Sequence, residues 1–306
     1  MDSQFLHVVP TPAPNSGTIH DNGEGPVSPQ VVAPLGTPTR PALRFYGGGW
    51  TRAAWTASYL RQARRPVYCE PCFGAGSVFF HLEPAKLEVI NDVDHRVMNF
   101  FWALRSWPAE LVRQILLTPW AEAEFRRCLD PAGEDAPLED ARRFFLVCWA
   151  SVKGGPNAGP SDFRWQKKNT RRSAAVQDIA SLSHLMSAAE RLKNAQILCR
   201  DALDVIGDMR GTGALIYFDP PYLAKTRKQR NGYRYEPDEG WHEEAARLLR
   251  GHDGPVVVAG YYSPLYQACY EEFGWQRVER RQATNSGGSA VECLWLSPLA
   301  REEGSE

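Results

Sequence analysis

Apolar and polar positions along the chain alternate between two periods. Short β-prone runs stand at 66–70 (PVYCE), 87–91 (LEVIN), 195–199 (AQILC), 214–218 (ALIYF) and 255–260 (PVVVAG). Helical patterns lie between and after them, at 95–106, 138–151, 174–192, 240–250 and 264–272. Strands that alternate with helices predict a mostly parallel sheet covered on both faces. The last two runs differ. WQRVERRQ at 275–282 and AVECLWLS at 290–297 flank an Asn-Ser-Gly-Gly turn, which predicts a closing antiparallel hairpin. One interval breaks the rhythm: the residues between Asn91 and Ala195 far exceed an ordinary crossover. A helical insertion of about 107–192 is expected there. Residues 1–40 are rich in Pro, Gly, Ser, Thr and Asn without apolar periodicity. They read as a disordered tail ahead of one folded domain at 41–306, since such a composition cannot offset its ordering entropy.

Composition narrows the picture. Of 306 residues, 43% are hydrophobic and 23% charged, as in ordinary globular proteins. No apolar run reaches a membrane span, and no basic start with an apolar core marks a secretory signal, so a cytoplasmic protein is expected. The net charge of −1 means that any nucleic-acid contact must come from local basic patches. Seven cysteines, mostly inside apolar segments, fit reduced thiols better than a disulfide framework. Cys69 and Cys72 form a C-x-x-C but have no second close pair to complete a metal site, so packing is the favoured reading and no metal is expected.

Three stretches carry chemistry. The first strand ends at Glu70 and runs into Pro71-Cys72-Phe73-Gly74-Ala75-Gly76. Its glycines let the backbone approach a ligand or merely turn tightly. Phe79 replaces the third glycine of the dinucleotide fingerprint, which disfavours a nicotinamide cofactor. The second strand ends at Asn91-Asp92-Val93-Asp94. Asp94 is the better cap for the next helix, which leaves Asp92 to bind ribose hydroxyls. The fourth strand ends at Asp219-Pro220-Pro221-Tyr222. The prolines remove two N–H donors, so a carboxylate stands beside carbonyl acceptors, a site suited to an amine, and Tyr222 adds a face on which a base could stack. A rigid strand-ending turn is the alternative. Two basic runs interleaved with aromatics, KGGPNAGPSDFRWQKKNTRR (153–172) and LAKTRKQRNGYRYEP (223–237), suit phosphate contacts with stacking, or are solvated loops. Their cations include Arg164, Lys167, Lys168, Arg171 and Arg172, then Lys225, Arg227, Lys228 and Arg230.

Taken in order, LRFYGGGW (43–50), VYCEPCFGAGSVFF (67–80), EVINDVDHRVMNFFWALR (88–105), ILCRDALDVI (197–206), YFDPPYL (217–223), GYYSPLY (260–266) and VECLWLSP (291–298) resemble the adenine-N6 DNA methyltransferases of the DNA adenine methylase type, especially short phage-like members. The resemblance covers about residues 42–298. It implies a Rossmann-like α/β sheet of the S-adenosylmethionine-dependent methyltransferases, with the C-terminal antiparallel hairpin and the helical insertion recognising the target. It also implies S-adenosylmethionine as cofactor and sequence-specific double-stranded DNA as partner, for a monomer or weak dimer, solitary or part of a restriction-modification pair. Tyr46, Gly47 and Gly48 form the entry motif. Glu70, Phe73, Gly74 and Gly76 are expected around the cofactor, with Asp92 on its ribose and Asp201 near its adenine. Asp219 and the Pro220 carbonyl would accept the hydrogens of the target amine, with Pro221 stiffening the turn and Tyr222 stacking on a flipped base. One position departs: the family carries a lysine after the two glycines, where this chain has Gly49. Either Arg52 substitutes or activity is weakened. Other amines (cytosine-N4, an RNA adenine, a glutamine side chain) and a binding protein without catalysis remain open alternatives.

Overall fold

A computed structural model describes residues 36–45, 47–152, 163–165, 181–227, 233–283 and 289–301. Its strands are β1 (Val67–Glu70), β2 (Leu87–Asn91), β3 (Ala195–Leu198), β4 (Leu215–Phe218), β5 (Val256–Tyr261), β6 (Gln276–Ala283) and β7 (Ser289–Leu296). They form one sheet in the order β3-β2-β1-β4-β5-β7-β6. β1 to β5 pair in parallel, with Cys69 beside Val89 and Ile216. β7 runs antiparallel between β5 and β6, Glu292 facing Tyr261 on one side and Arg280 on the other. The expected hairpin and the parallel body are both present, in the Rossmann-like arrangement.

The inner strands alternate their side chains between two cores, as a sheet covered on both faces must. Tyr68, Ile90, Leu215, Tyr217, Val257 and Leu294 face one core; Cys69, Val89, Ile216, Phe218, Val256 and Trp295 face the other. On the first face lie α1 (Trp50–Gln62), α2 (His95–Ser106), α3 (Pro108–Leu117), α5 (Pro137–Ala150) and α6 (Ser183–Arg191); on the second lie α7 (Ala202–Asp208), α8 (Glu239–Arg250) and α9 (Pro264–Tyr270). Four of the helices begin at a side-chain cap. Asp94 accepts from Arg96 N–H at 3.0 Å, Asp201 from Leu203 N–H at 2.8 Å, Asp238 from Trp241 N–H at 2.8 Å and Ser263 from Tyr266 N–H at 3.1 Å, each satisfying a donor left open at a helix start.

Between β2 and β3, α3, α4 (Glu122–Cys128) and α5 follow α2. Phe163 returns to pack on Phe125 and Trp120, and Arg164 N–H donates to the Ala150 carbonyl at 2.7 Å. The tail at 1–35 and much of the first basic run lie outside the described residues.

The chain rejoins the sheet through a buried ion pair. Arg191 in α6 grips Glu88 in β2 with both arms, at 2.5 and 2.7 Å, and its guanidinium lies 3.7 Å from the Phe79 ring centre. Glu88 is 1% exposed, so its charge is neutralised inside the protein by that one arginine.

Candidate active site

The strand order reverses between β1 and β4, and their carboxyl ends open onto a cavity of about 340 Å³. Such a switch point is where open α/β sheets bind ligands. The entry segment, the glycine-rich turn, the end of β2, the start of α7 and the chain beyond β4 all reach its wall.

The glycine-rich turn is held by Asp92. One carboxylate oxygen accepts from Gly74 N–H at 2.8 Å and the other from Asp94 N–H at 2.9 Å. Burial raises the Asp92 pKa to about 6, against the pull of these N–H groups. Gly74 has φ +51° and Gly47 φ +80°, conformations that glycine adopts without penalty. Phe73 is buried and packs edge-on against Phe79 and Phe101. Expected beside the cofactor, Gly76 does not reach the cavity wall: it turns at φ +63° directly beneath the Phe73 ring, where a Cβ would collide. Gly76→Ala is therefore expected to lower stability by at least about 1 kcal/mol, measurable as a lower urea midpoint; an unchanged midpoint would contradict this packing.

Asp201 reaches the cavity while capping α7, and Trp241 Nε1–H donates to its Oδ1 at 3.2 Å. Glu70 sits at the cavity base with 2% exposure, its carboxylate accepting from the Tyr68 hydroxyl at 2.9 Å. Burial pushes the Glu70 pKa well above the usual carboxylate range, overcoming the Tyr68 hydrogen bond, with Asp219 adding to the rise.

Asp219 and Pro221 line the cavity; Pro220 and Tyr222 stand behind its surface. Burial raises the Asp219 pKa, and Arg52, then the Tyr217 and Tyr222 hydroxyls, oppose the rise. The Tyr222 ring is 7% exposed and meets Tyr261 edge-on at 4.8 Å, while its hydroxyl donates to Glu292 Oε2 at 3.0 Å. Glu292 Oε1 takes Arg52 Nη1–H at 2.6 Å, and Arg52 Nη2–H donates to the Gly47 carbonyl at 2.9 Å.

The basic positions divide. Arg227, expected on the nucleic-acid side, is instead 8% exposed and closes a two-armed ion pair with Glu236. That pair fastens Tyr233–Pro237 along the cavity mouth, with Tyr233 against Gly47 and Arg234 3.6 Å from Asp94. Lys225 is half exposed and pairs with Glu239 at 2.7 Å. Arg164 is half-buried, its carbonyl accepting from Trp120 Nε1–H at 3.1 Å. Tyr46, Lys167, Lys168, Arg171, Arg172, Lys228 and Arg230 lie outside the described residues.

Cys69 and Cys72 are free thiols, and burial pushes both pKa values up. Among the described residues no group of three or more His, Cys, Asp or Glu could hold a metal ion, and no helix is long and apolar enough to cross a membrane.

Glu292, Tyr217 and Trp241 are site residues that the motifs did not single out. Glu292 carried a signal: it is one acid inside the apolar run AVECLWL, and a buried carboxylate needs a partner.

A nucleotide-sized cavity at the switch point, edged by a strand-terminal Asp-Pro-Pro-Tyr, is the arrangement of an amine-methylating enzyme. Residues 46–284 match the family profile of the D12 class N6 adenine-specific DNA methyltransferases, and the chain belongs to that family: it is an adenine-specific DNA methyltransferase. The type II methyltransferase M1.LlaDCHI of Lactococcus lactis subsp. cremoris is 24% identical over 251 residues, 76% of this chain and 84% of that protein. Among solved structures, the rRNA methyltransferase AviRa of Streptomyces viridochromogenes is 14% identical over 83% of this chain and 86% of its own, with a TM-score of 0.35.

Proposed function

We propose that the chain uses S-adenosylmethionine to methylate a flipped-out adenine in a specific double-stranded DNA sequence, in the cytoplasm, as the modification partner of a type II system. The observation that carries this reading is Asp219: a half-buried carboxylate just after β4, on the wall of a cavity that the Asp92-held glycine turn also lines. The residues fit the cofactor. The glycine turn presents backbone without side chains, Asp92 and Asp201 provide acceptors for hydroxyl and amine donors, and the cavity size falls within the range of small-molecule sites. When bound, S-adenosylmethionine supplies an electrophilic methyl group on a sulfonium.

The chain's own groups deal with the adenine. Its exocyclic nitrogen is a weak nucleophile because the lone pair is delocalised into the ring. Asp219 and the Pro220 carbonyl accept its two hydrogens, which favours a pyramidal nitrogen and stabilises the positive charge that develops there. The absence of N–H donors at Pro220 and Pro221 keeps competing hydrogen bonds off the nitrogen lone pair. The Tyr222 ring, braced by Glu292 and Tyr261, backs the turn that carries Asp219 from behind the cavity surface, so the stacking expected of it requires the ring to turn towards the base. The insertion of about 107–192, together with Lys167, Lys168, Arg171, Arg172, Lys225, Lys228 and Arg230, is assigned to target recognition and phosphate contact.

Purified protein, methyl-labelled cofactor and duplexes with adenine in varied contexts test the reading. Label is expected in N6-methyladenine of a subset of duplexes. No label in DNA, or label at cytosine or in RNA alone, would overturn it. Asp92 supplies a separate check. Its pKa of about 6 means that acidification removes the carboxylate that accepts the ribose hydroxyls. Cofactor affinity is expected to fall as the pH drops through about 6, by up to about tenfold per unit, and Asp92→Asn should flatten that dependence. A flat wild-type titration between pH 5 and 7 would count against the ribose role.

A further inference from the structure

Arg52 occupies its place because of Gly49. A Cβ on Gly49 would lie 2.5–2.8 Å from Nε, Nη2 and Cζ of Arg52, so the guanidinium fills the space that any side chain at this position would take. Gly49 itself has φ −102°, a conformation open to other residues; what it provides is room. From there the guanidinium reaches in two directions: to the Gly47 carbonyl in the entry segment and to Glu292 on β7. Glu292 is 4% exposed and divides its two oxygens between Arg52 and the Tyr222 hydroxyl. Tyr261, its cross-strand neighbour, adds a further hydrogen bond. The chain Gly47–Arg52–Glu292–Tyr222 thus joins the cofactor side of the cavity to the Asp-Pro-Pro-Tyr turn.

We propose that Arg52 and Glu292 are a positioning pair for methyl transfer: Glu292 holds Tyr222 and the turn that bears Asp219, Arg52 sets the charge beside that carboxylate, and Gly49 makes room for the guanidinium. This rests on the reading of Asp219 given above. A buried carboxylate at Glu292 without Arg52 would place a second anion near Asp219. Asp219 is faced by Arg52 from α1, Tyr217 from β4, Tyr222 from its own turn, Glu70 from β1, Glu292 from β7, Cys72 from the glycine turn and Tyr266 from α9. Arg52 is the cation in that set, so removing it and removing Glu292 must act on Asp219 in opposite directions.

The acidic limb of the kcat–pH profile reads this out. Arg52→Gln is expected to lower kcat by roughly tenfold to a hundredfold and to move the limb towards neutral pH, because Asp219 loses its counter-charge. Glu292→Gln is expected to lower kcat, leave cofactor affinity within about threefold since Glu292 lies off the cavity wall, and move the limb to lower pH. Arg52→Lys, which keeps the charge without the two-armed contact, should return the limb close to its wild-type position. Gly49→Ala displaces only the end of a flexible side chain; it should shift the limb in the same sense as Arg52→Gln, with no further effect when the two are combined. Limbs that stay in place with kcat within twofold of wild type, or that move in the same direction for Arg52→Gln and Glu292→Gln, would overturn the proposal. Should Arg52→Gln fail to fold, Gly49→Ala and Glu292→Gln carry the same comparison. A wild-type enzyme without methyl transfer would instead refute the underlying function.

Discussion

Asp219→Ala is expected to reduce kcat for DNA adenine methylation by about 10²–10³-fold, with cofactor affinity changed no more than a few-fold. The size of the effect comes from where the carboxylate stands. It is half-buried on the cavity wall, directly after a strand packed on both faces, and alanine puts no acceptor in its place. Removing a preorganised group that acts on developing charge costs far more there than in solvent. Single-turnover transfer of labelled methyl groups, alongside calorimetric titration of the cofactor, separates the two quantities. Near-wild-type transfer would remove Asp219 from the mechanism. A parallel loss of cofactor affinity would make it a binding residue instead.

Arg191→Met is expected to destabilise the protein by about 3–5 kcal/mol, lowering Tm by on the order of 10 °C. The variant leaves the 1%-exposed Glu88 with a charge and no counter-ion. Apart from Arg191, its described contact is the Ala85 N–H at 3.0 Å. The effect should reach beyond the pair, because Arg191 lies at the end of α6 and ties the return of the insertion to β2 and to the Phe79 ring. Combining Glu88→Gln with Arg191→Met removes the stranded charge and should recover much of the loss. Denaturant unfolding of the three variants checks this, and a single-variant loss below about 1 kcal/mol would show the pair to be dispensable.

The parts of the fold that were legible in the sequence are those where burial and period coincide. LEVIN and ALIYF are short, apolar and bounded by acids or turns, and they form β2 and β4 within a residue of expectation. Helix α2 spans the expected 95–106 because Asp94 caps it and an apolar face follows. Helix α1 left no such mark: its buried face is Ala53, Thr56, Ala57 and Leu60, and small or polar side chains give little periodic signal. The acids at strand ends were legible because few structural roles call for one there. In the structure Asp92 and Asp201 serve the backbone, one holding the glycine turn and the other capping α7. Arg227 misled because a basic run has no sequence mark for which of its members faces inward; its partner Glu236, nine residues on, decides that. The link from Arg52 to Glu292 spans 240 positions, and only the folded sheet brings these residues together.

The position of β6 has a consequence for solution behaviour. It is the outer strand of the hairpin, with β7 as its partner, and an outer strand offers unpaired backbone groups to any other extended chain. Here that border reads Arg277, Glu279, Arg280 and Arg281 in close succession, and Arg277 is clamped between Glu271 and Glu279 at 3.1 Å from each. To add a strand, a second molecule would have to strip water from this charged fringe and crowd its own side chains against it. The same border therefore protects a sheet rich in Val and Leu from growing sideways into aggregates.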